Sequence, residues 1–148
     1  MFECEVVAKE EIADNLYQHI HHADILRMFE QGRCAFLQTI GFSNESFIAR
    51  GIFPVVASVN IRYLREVRPG TYVVTCEKGR CVGKSLFVHQ RLFNKRRKIV
   101  ADAEVECVLM DGASRRGVTP EAAFERAFTS SALGLPFFCT MLQLLMTP

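Results

Sequence analysis

The chain lacks the features that mark membrane, nucleic-acid-binding and repeat proteins. None of its segments reaches the roughly 18 uninterrupted apolar residues that a transmembrane helix requires, and it contains no internal repeat or low-complexity segment. Its formal net charge of +2 is too small to indicate a nucleic-acid partner. We therefore expect no membrane span and no nucleic-acid binding, and a length of 148 residues favours one domain over residues 1–148.

Six cysteines are present, but neither disulfides nor a metal site is expected. No secretory signal precedes them, and most lie inside apolar runs, which is typical of buried, reduced thiols. Cys76 and Cys81 lack the close pairing and the histidine partners of a zinc site. We predict a cytoplasmic protein that uses no metal and no other cofactor.

The most apolar segment, residues 132–146, is interrupted by Gly134 and Pro136. Such a segment on a small protein usually packs on its own domain or on a partner subunit. We favour that arrangement over contact with a membrane.

Hydrophobic periodicity predicts an α+β fold. Residues 2–9 alternate as a strand does, and residues 21–40 carry apolar side chains at three- and four-residue spacing, as in a helix with a wide buried face. Gly41 is suited to end this helix. Four further strands joined by short turns are predicted over residues 55–67, 71–82, 85–93 and 99–110.

Consecutive strands with short connections are normally antiparallel neighbours. A five-stranded antiparallel sheet wrapped round one long apolar helix is the hotdog fold. Ser43 is expected to N-cap a single helical turn, and Thr119 a later helix with Pro120 in its first position. Residues 112–148 form a C-terminal extension whose structure the pattern does not define.

A polar, histidine-rich turn runs directly into the long helix and is the strongest candidate for a functional site. The first four helix amides have no intrahelical partner, and the helix dipole adds partial positive charge at the same end. This end therefore suits an anion or a developing oxyanion. Hydrogen-bond donors and acceptors are concentrated around it, on Asn15, His19, His21 and His22. Arg33 follows further along the helix. The combination indicates acyl chemistry.

Structural roles compete with functional ones at several of these positions. We predict the backbone N–H of His22 to be an oxyanion donor, in preference to a purely capping role for this residue. His19 is equally consistent with a general base and with a hydrogen-bonded loop residue. Glu30 could activate water if burial raised its pKa, but an ion pair with Arg33 or Arg27 is favoured.

The chain resembles hotdog-fold acyl thioesterases of the 4-hydroxybenzoyl-CoA thioesterase type. Those enzymes carry a loop like Asp-x-x-Gly-His-Val-Asn-Asn-Ala-x-Tyr and then a helix with Phe-Glu-x-x-Arg. Residues 18–23 take the place of Gly-His-Val-Asn-Asn-Ala, and residues 29–33 fall on the helix motif. Residues 60–64, 68–70 and 83–86 resemble later strands and turns of the family, so that the resemblance covers residues 2–111.

One departure from the family pattern changes the implied mechanism. The usual catalytic carboxylate falls on Asn15, and an amide cannot act as a general base or as a carboxylate nucleophile. Either the neighbouring Asp14 takes over, or the chemistry differs. Asn15-Leu16 and Gln31-Gly32-Arg33-Cys34 resemble the thioesterases of enediyne polyketide biosynthesis. This subgroup implies that Asn15 and Arg33 polarise the thioester carbonyl or orient water, without a catalytic carboxylate.

The resemblance implies an acyl thioesterase that releases a polyketide or fatty-acyl chain from an acyl carrier protein or coenzyme A. It also implies a homodimer or homotetramer, with the site at a dimer interface. The residues expected to contact substrate are Tyr17, Glu30, Gly83, Lys84 and Ser85. A non-catalytic acyl-CoA-binding or regulatory hotdog domain is the alternative, because the carboxylate is missing.

A basic run at residues 95–98 is expected to form a hairpin tip, and Arg115 and Arg116 add to the basic surface. Charge runs at hairpin tips are most often simply solvated and keep strand edges apart. A sharper hypothesis is that this surface meets the phosphates of coenzyme A or the acidic face of a carrier protein.

Overall fold

Five long antiparallel strands form a sheet against which one long helix packs, as the sequence pattern predicts. The computed structural model describes residues 1–13, 16–130 and 138–139. The long strands are β1 (Phe2–Ala8), β2 (Ile52–Tyr63), β3 (Gly70–Val82), β4 (Ser85–Phe93) and β5 (Ile99–Asp111). Two short strands that the sequence did not predict extend the sheet, β6 (Gly117–Val118) on β5 and β7 (Phe138–Cys139) on β1. The strand order is β2-β5-β4-β3-β1-β7.

Three α-helices accompany the sheet within the described residues: α1 (His22–Thr39), α2 (Asn44–Arg50) and α3 (Ala122–Ser130). Gly41 follows the end of α1 with a φ of 88°, which a glycine adopts without steric cost. The Ser43 side chain caps α2 by accepting a hydrogen bond from the Ser46 N–H over 3.3 Å. Both of these predicted helix boundaries are confirmed.

The predicted start of the last helix is wrong. The helix begins at Ala122, and the Glu125 N–H donates to the Glu121 carbonyl, so Thr119 does not cap it. The chain stays extended in this region because β6 pairs with β5 as far as Val118. Pro120 is buried in the connection and precedes the helix.

Helix α1 crosses the sheet at very short range. It contacts mainly β1 and β3, and a Cβ built on Gly32 would lie 2.4 Å from Cγ1 of Val74. Because real Cβ contacts are never this short, only glycine fits at this crossing. The packing therefore explains why a glycine interrupts the middle of an otherwise well-formed helix.

Strand β2 lies at one edge of the sheet and begins earlier than predicted. It pairs with β5 alone among the described residues, and an edge position tolerates the missing N–H of Pro54. It ends at Tyr63, because the N–H groups of Leu64 and Arg65 both donate to the Val100 carbonyl. Several of its apolar side chains are exposed: Val55, Val56, Val59 and Tyr63.

The two basic groups lie at opposite ends of β5 and form no common surface. Residues 95–98 form the β4–β5 hairpin tip, where the Asn94 side chain accepts hydrogen bonds from the N–H groups of Arg96 and Lys98. Arg115 and Arg116 follow the far end of the strand, whose thirteen residues span roughly 40 Å. The predicted combination of these residues into one patch is therefore wrong.

Five of the six cysteines are free thiols: Cys4, Cys34, Cys76, Cys81 and Cys107. Within the described residues, no helix is both long enough and apolar enough to traverse a bilayer. The apolar segment at residues 132–146 lies outside the described residues, apart from Phe138 and Cys139, so its predicted packing stays a prediction.

Candidate active site

Within the described part of the chain, three of the four backbone donors in the first turn of α1 are paired. His21 caps the helix: its Nδ1 accepts from the Ala23 N–H over 3.2 Å, and its carbonyl accepts from the N–H groups of Asp24 and Ile25. The remaining amide of this first turn, that of His22, has no hydrogen-bond partner among the described residues. This is the amide that the sequence singles out as an oxyanion donor.

Tyr63, at the end of β2, lies against this helix terminus. Its ring meets the His22 ring edge-on at a centroid distance of 6.4 Å, and its hydroxyl lies 3.5 Å from the His22 carbonyl oxygen. Partial burial raises the pKa of the Tyr63 phenol, so the hydroxyl remains a donor at neutral pH. Tyr63 lies within residues 60–64, which resemble a strand of the thioesterase family. The sequence alone did not indicate a role for it at the site.

The histidine-rich turn is organised by ring contacts. His21 and His22 pack at a centroid distance of 4.0 Å, and Tyr17 stacks on His19 at 5.5 Å with an interplanar angle of 23°. The Ile20 N–H donates to the Val67 carbonyl, which joins the turn to the end of the β2–β3 connection. Asn15, the predicted water- or carbonyl-orienting residue, and Asp14 lie outside the described residues.

Arg33 is tied to the sheet by a buried glutamine. Its Nη1 donates to Oε1 of Gln90 over 2.9 Å. The Gln90 Nε2 in turn donates to the Phe29 carbonyl and to Sγ of Cys76. Gln90 is completely buried, and the network satisfies both ends of its amide. The guanidinium of Arg33 is thereby held in one place at the edge of a pocket.

This pocket lies between α1, the sheet and α3. Its cavity volume is about 70 Å³, which is small beside the roughly 300–1,000 Å³ typical of small-molecule sites. Its lining is apolar apart from Glu30 and Arg33 on α1. The remaining lining side chains are Cys34, Phe36, Leu37, Pro54, Val56, Leu86, Val88, Cys107, Phe124 and Phe128.

The two pocket cysteines are poor nucleophiles. Burial raises the pKa of the Cys34 thiol, with a further contribution from the nearby Glu30 carboxylate. Burial also raises the pKa of Cys107. Because the thiolate is the reactive form of cysteine, protonated thiols at these positions do not favour a covalent acyl-cysteine intermediate.

The ion pair predicted for Glu30 does not form. Arg27 pairs with Asp24 over 2.7 Å, and Arg33 bonds to Gln90, so that no described basic group lies within 4.0 Å of the Glu30 carboxylate. Asp24 stands three residues before Arg27 in the first helical turn and is the nearer partner. Glu30 instead lies exposed at the mouth of the pocket.

The candidate residues at the β3–β4 turn have structural partners. Gly83 adopts a φ of 58° in the two-residue turn, the Lys84 ammonium donates to the Gly117 carbonyl, and the Ser85 hydroxyl donates to Glu106 over 2.7 Å. Because side chains alternate along β4, Ser85 faces away from the pocket that Leu86 lines. Within one protomer these residues do not join the pocket, and their contact with substrate stays a prediction.

The two halves of the candidate site are separated along α1. His22 and Arg33 are eleven residues apart in one straight element, which at 1.5 Å per residue corresponds to about 16 Å. A single thioester carbonyl cannot contact both within one chain. The helix terminus and the pocket are therefore two partial sites on the same protomer.

The fold agrees with the family to which the chain belongs. Residues 11–128 match the model of the thioesterase-like superfamily, so the chain is a member of that superfamily and has its hotdog fold. This membership supports thioester hydrolysis as the class of activity. In sequence, no curated protein matches the chain significantly.

Solved structures with the same fold are numerous and distant in sequence. A hypothetical protein from Staphylococcus aureus in complex with CoA superposes with a TM-score of 0.81 at 18% identity, over 99% of this chain and 95% of that chain. The DHNA-CoA thioesterase from the same organism gives 0.73 at 18% identity, over 80% and 81%. The YbaW probable thioesterase from Escherichia coli gives 0.69 at 23% identity, over 84% and 94%.

Proposed function

We propose that this protein is an acyl-CoA thioesterase whose oxyanion donor is the backbone N–H of His22. The single observation that carries the proposal is that, among the described residues, this amide at the start of α1 has no partner while its three neighbours are paired. A preorganised donor of this kind is worth about 3 kcal/mol of transition-state stabilisation. The CoA-bound and CoA-thioesterase structures of the same fold support coenzyme A as the carrier.

In the proposed reaction, water adds to the thioester carbonyl carbon. The carbonyl oxygen becomes an oxyanion that accepts a hydrogen bond from the His22 N–H. The C–S bond then breaks, the acid is released, and the thiol of coenzyme A leaves with a proton. A thiol is a good leaving group, so the protein needs mainly to place water and to stabilise negative charge. Asn15 and Arg33 are assigned to these tasks. His19 is assigned the role of proton acceptor.

We further propose a two-fold dimer formed by antiparallel pairing of two β2 strands. A twelve-residue edge strand with exposed valines is an aggregation hazard unless it is covered. A two-fold axis normal to the sheet reverses the direction of α1 in the second copy. The N-terminus of one helix then faces the middle of the other, and His22 can share one carbonyl with Arg33 of the partner subunit.

The dimer is tested by placing a charge on its edge. Val59→Lys puts an ammonium at the centre of the proposed interface and should give a monomer in sedimentation velocity, with loss of turnover. Val82→Lys, at an exposed position outside β2, is the control. A dimeric, active Val59→Lys protein would contradict the arrangement, and the same experiment distinguishes a dimer from the predicted homotetramer.

The function is tested by thiol release from a panel of acyl-CoA and acyl-carrier-protein thioesters. We expect turnover of acyl-CoA, and loss of it in Asn15→Ala and Arg33→Ala. Preferred hydrolysis of carrier-protein thioesters would instead support release of a polyketide chain, as the likeness to the enediyne subgroup implies. The cytoplasmic location stays a prediction from the cysteine pattern.

The missing carboxylate favours one alternative, a non-catalytic hotdog domain that binds acyl-CoA. Saturable binding of acyl-CoA with no thiol release across the whole panel would establish that alternative. Loss of activity in Asp14→Asn, with Asn15→Ala unaffected, would move the chemistry to Asp14.

A further inference from the structure

Helix α3 contributes two buried side chains, Phe124 and Phe128, to the lining of the pocket. Phe128 contacts Phe36, which follows Arg33 by about one turn of α1, so the two rings lie at the end of the pocket away from Glu30. We propose that these two rings set the maximum length of the acyl group. The proposal rests on the acyl thioesterase function above and assigns a role to the first part of the extension that follows the sheet.

The polarity of the pocket fixes the direction in which an acyl chain enters it. Among the described residues that line it, the charged groups belong to Glu30 and Arg33, and the remaining lining is aliphatic, aromatic or thiol. A thioester carbonyl is polar and an alkyl end is not, so the carbonyl belongs at the Arg33 end. The alkyl terminus then points toward Phe124 and Phe128.

These rings form a rigid end wall. Phe128 contacts Phe36 of α1 at a centroid distance of 5.8 Å and stacks on Phe124 at 5.5 Å. Phe124 in turn meets Phe42 edge-on at 4.7 Å and is only 2% exposed. Rings held by aromatic neighbours on both sides cannot swing aside without losing those contacts. A longer chain therefore meets the wall instead of displacing it.

The position of this wall depends on a glycine in β3. A Cβ built on Gly79 would lie 2.6 Å from the backbone oxygen of Phe128 and 3.2 Å from its ring. The pairing of β3 with β4 shifts register between Glu77 and Arg80, so Gly79 lies within a bulge. The bulge and the missing side chain together let the end of α3 seat directly on the sheet.

The test measures acyl-length preference in Phe128→Leu, which shortens the wall while keeping an apolar side chain. Gly79→Ala is the second variant, because it displaces α3 without altering any residue that lines the pocket. Phe93→Leu, on the opposite face of the sheet, is the matched control. For each protein, kcat/KM is measured for saturated acyl-CoA thioesters from butyryl to palmitoyl. Binding of the corresponding non-hydrolysable acyl-CoA thioethers is measured in parallel.

We expect Phe128→Leu to raise kcat/KM and affinity for the first chain too long for the wild type by at least about tenfold relative to shorter chains. The substitution removes three carbon atoms, and room for a single methylene in an apolar pocket is typically worth about 10–200-fold. Gly79→Ala should also shift the length profile, and Phe93→Leu should keep that of the wild type. An unchanged dependence on acyl length in a folded Phe128→Leu protein overturns the proposal. If that variant does not fold, an unchanged dependence on acyl length in Gly79→Ala overturns it.

The binding measurement separates this inference from the proposed function. If no thioester is hydrolysed but the thioethers bind with a length limit that changes in Phe128→Leu, the thioesterase function is wrong. The length-limiting role of Phe124 and Phe128 is then supported. If hydrolysis proceeds and the length limit does not change, the length-limiting role of the two rings is wrong and the thioesterase function is supported.

Discussion

Arg33 on α1 and Gln90 on β4 are joined by a hydrogen bond of 2.9 Å between the guanidinium and a completely buried amide. The same amide is anchored by the Phe29 carbonyl on the preceding turn of the helix. A guanidinium that is fixed in this way loses little additional freedom on binding a carbonyl oxygen. The pair therefore links the packing of the helix on the sheet to the electrostatics of the pocket.

Gln90→Met should impair both stability and catalysis. Methionine keeps most of the volume but leaves the Phe29 carbonyl and the Arg33 guanidinium without their partner, at a cost of about 1–3 kcal/mol in unfolding free energy. If Gln90 acts by positioning Arg33, kcat should fall toward that of Arg33→Ala, and the two substitutions should be non-additive in a double-mutant cycle. Urea denaturation and steady-state kinetics measure the two effects.

Gln38→Met, on the exposed side of α1, is the control for the change of residue type. A wild-type kcat in Gln90→Met, alongside an inactive Arg33→Ala, would contradict the positioning role. Additive effects of the two substitutions would lead to the same conclusion.

Gly32→Ala should destabilise the protein even though alanine is the better helix former. The helix propensity gain is about 1 kcal/mol, whereas the new methyl group would lie 2.4 Å from Val74 Cγ1, an overpacking that typically costs about 1–3 kcal/mol. The clash should therefore exceed the gain. Thermal unfolding measures the difference, and Val74→Ala in the same chain should restore part of the loss. A more stable Gly32→Ala protein would contradict the close approach of α1 and β3.

Local features of this chain could be predicted from the sequence, and contacts between distant segments could not. The bounds of α1 and its stop at Gly41 follow from neighbouring residues. Gln90 could have been noticed, because it alternates with Leu86, Val88 and Leu92 on the inward face of β4 and is the only polar residue among them. Its hydrogen bond with Arg33, 57 positions away, could not be predicted without knowing the register of the sheet and the position of α1 on it.

The ion pair expected for Glu30 shows the same limit. Helical spacing made Arg27 and Arg33 available to it, but Asp24 and Gln90 compete for these two cations, and Gln90 arrives from another element. The contact of Tyr63 with His22 joins residues 41 positions apart. The sequence thus predicted the position of the helix terminus but not the side chains that the sheet brings to it.

Ser85→Ala should remove part of the stability that the protein has at neutral pH and loses in acid. Hydrogen bonds from Ser85 and then Ser58 hold the pKa of the Glu106 carboxyl below its ordinary value. A lowered pKa in the folded state gives stability that is present above the unfolded pKa, about 4.3, and is lost as the pH falls through the folded pKa. Removing the Ser85 hydroxyl should therefore lower the free energy of unfolding at neutral pH, and the difference from the wild type should shrink as the pH falls. The measurement is urea denaturation at neutral pH and near the ordinary pKa of glutamate.

Ser46→Ala, whose side chain makes no hydrogen bond in the described structure, is the control for that experiment. If Ser85 serves substrate binding alone, Ser85→Ala should change KM and leave the pH dependence of the unfolding free energy unchanged. A wild-type pH dependence would therefore contradict the structural role of the Ser85–Glu106 hydrogen bond.

His22→Pro removes one hydrogen atom from the proposed oxyanion site and is the most direct test of it. Proline is tolerated at the first position of a helix, and the preceding residue, His21, has a φ of −63° and a ψ of 143°, the extended geometry that a following proline requires. The helix should therefore form, while kcat should fall by about 10²–10³ because the backbone donor is lost. His22→Ala keeps the N–H and removes only the imidazole, so it should retain most of the activity. Equal activity of the proline and alanine variants, with unchanged circular dichroism, would show that the His22 amide does not stabilise the oxyanion.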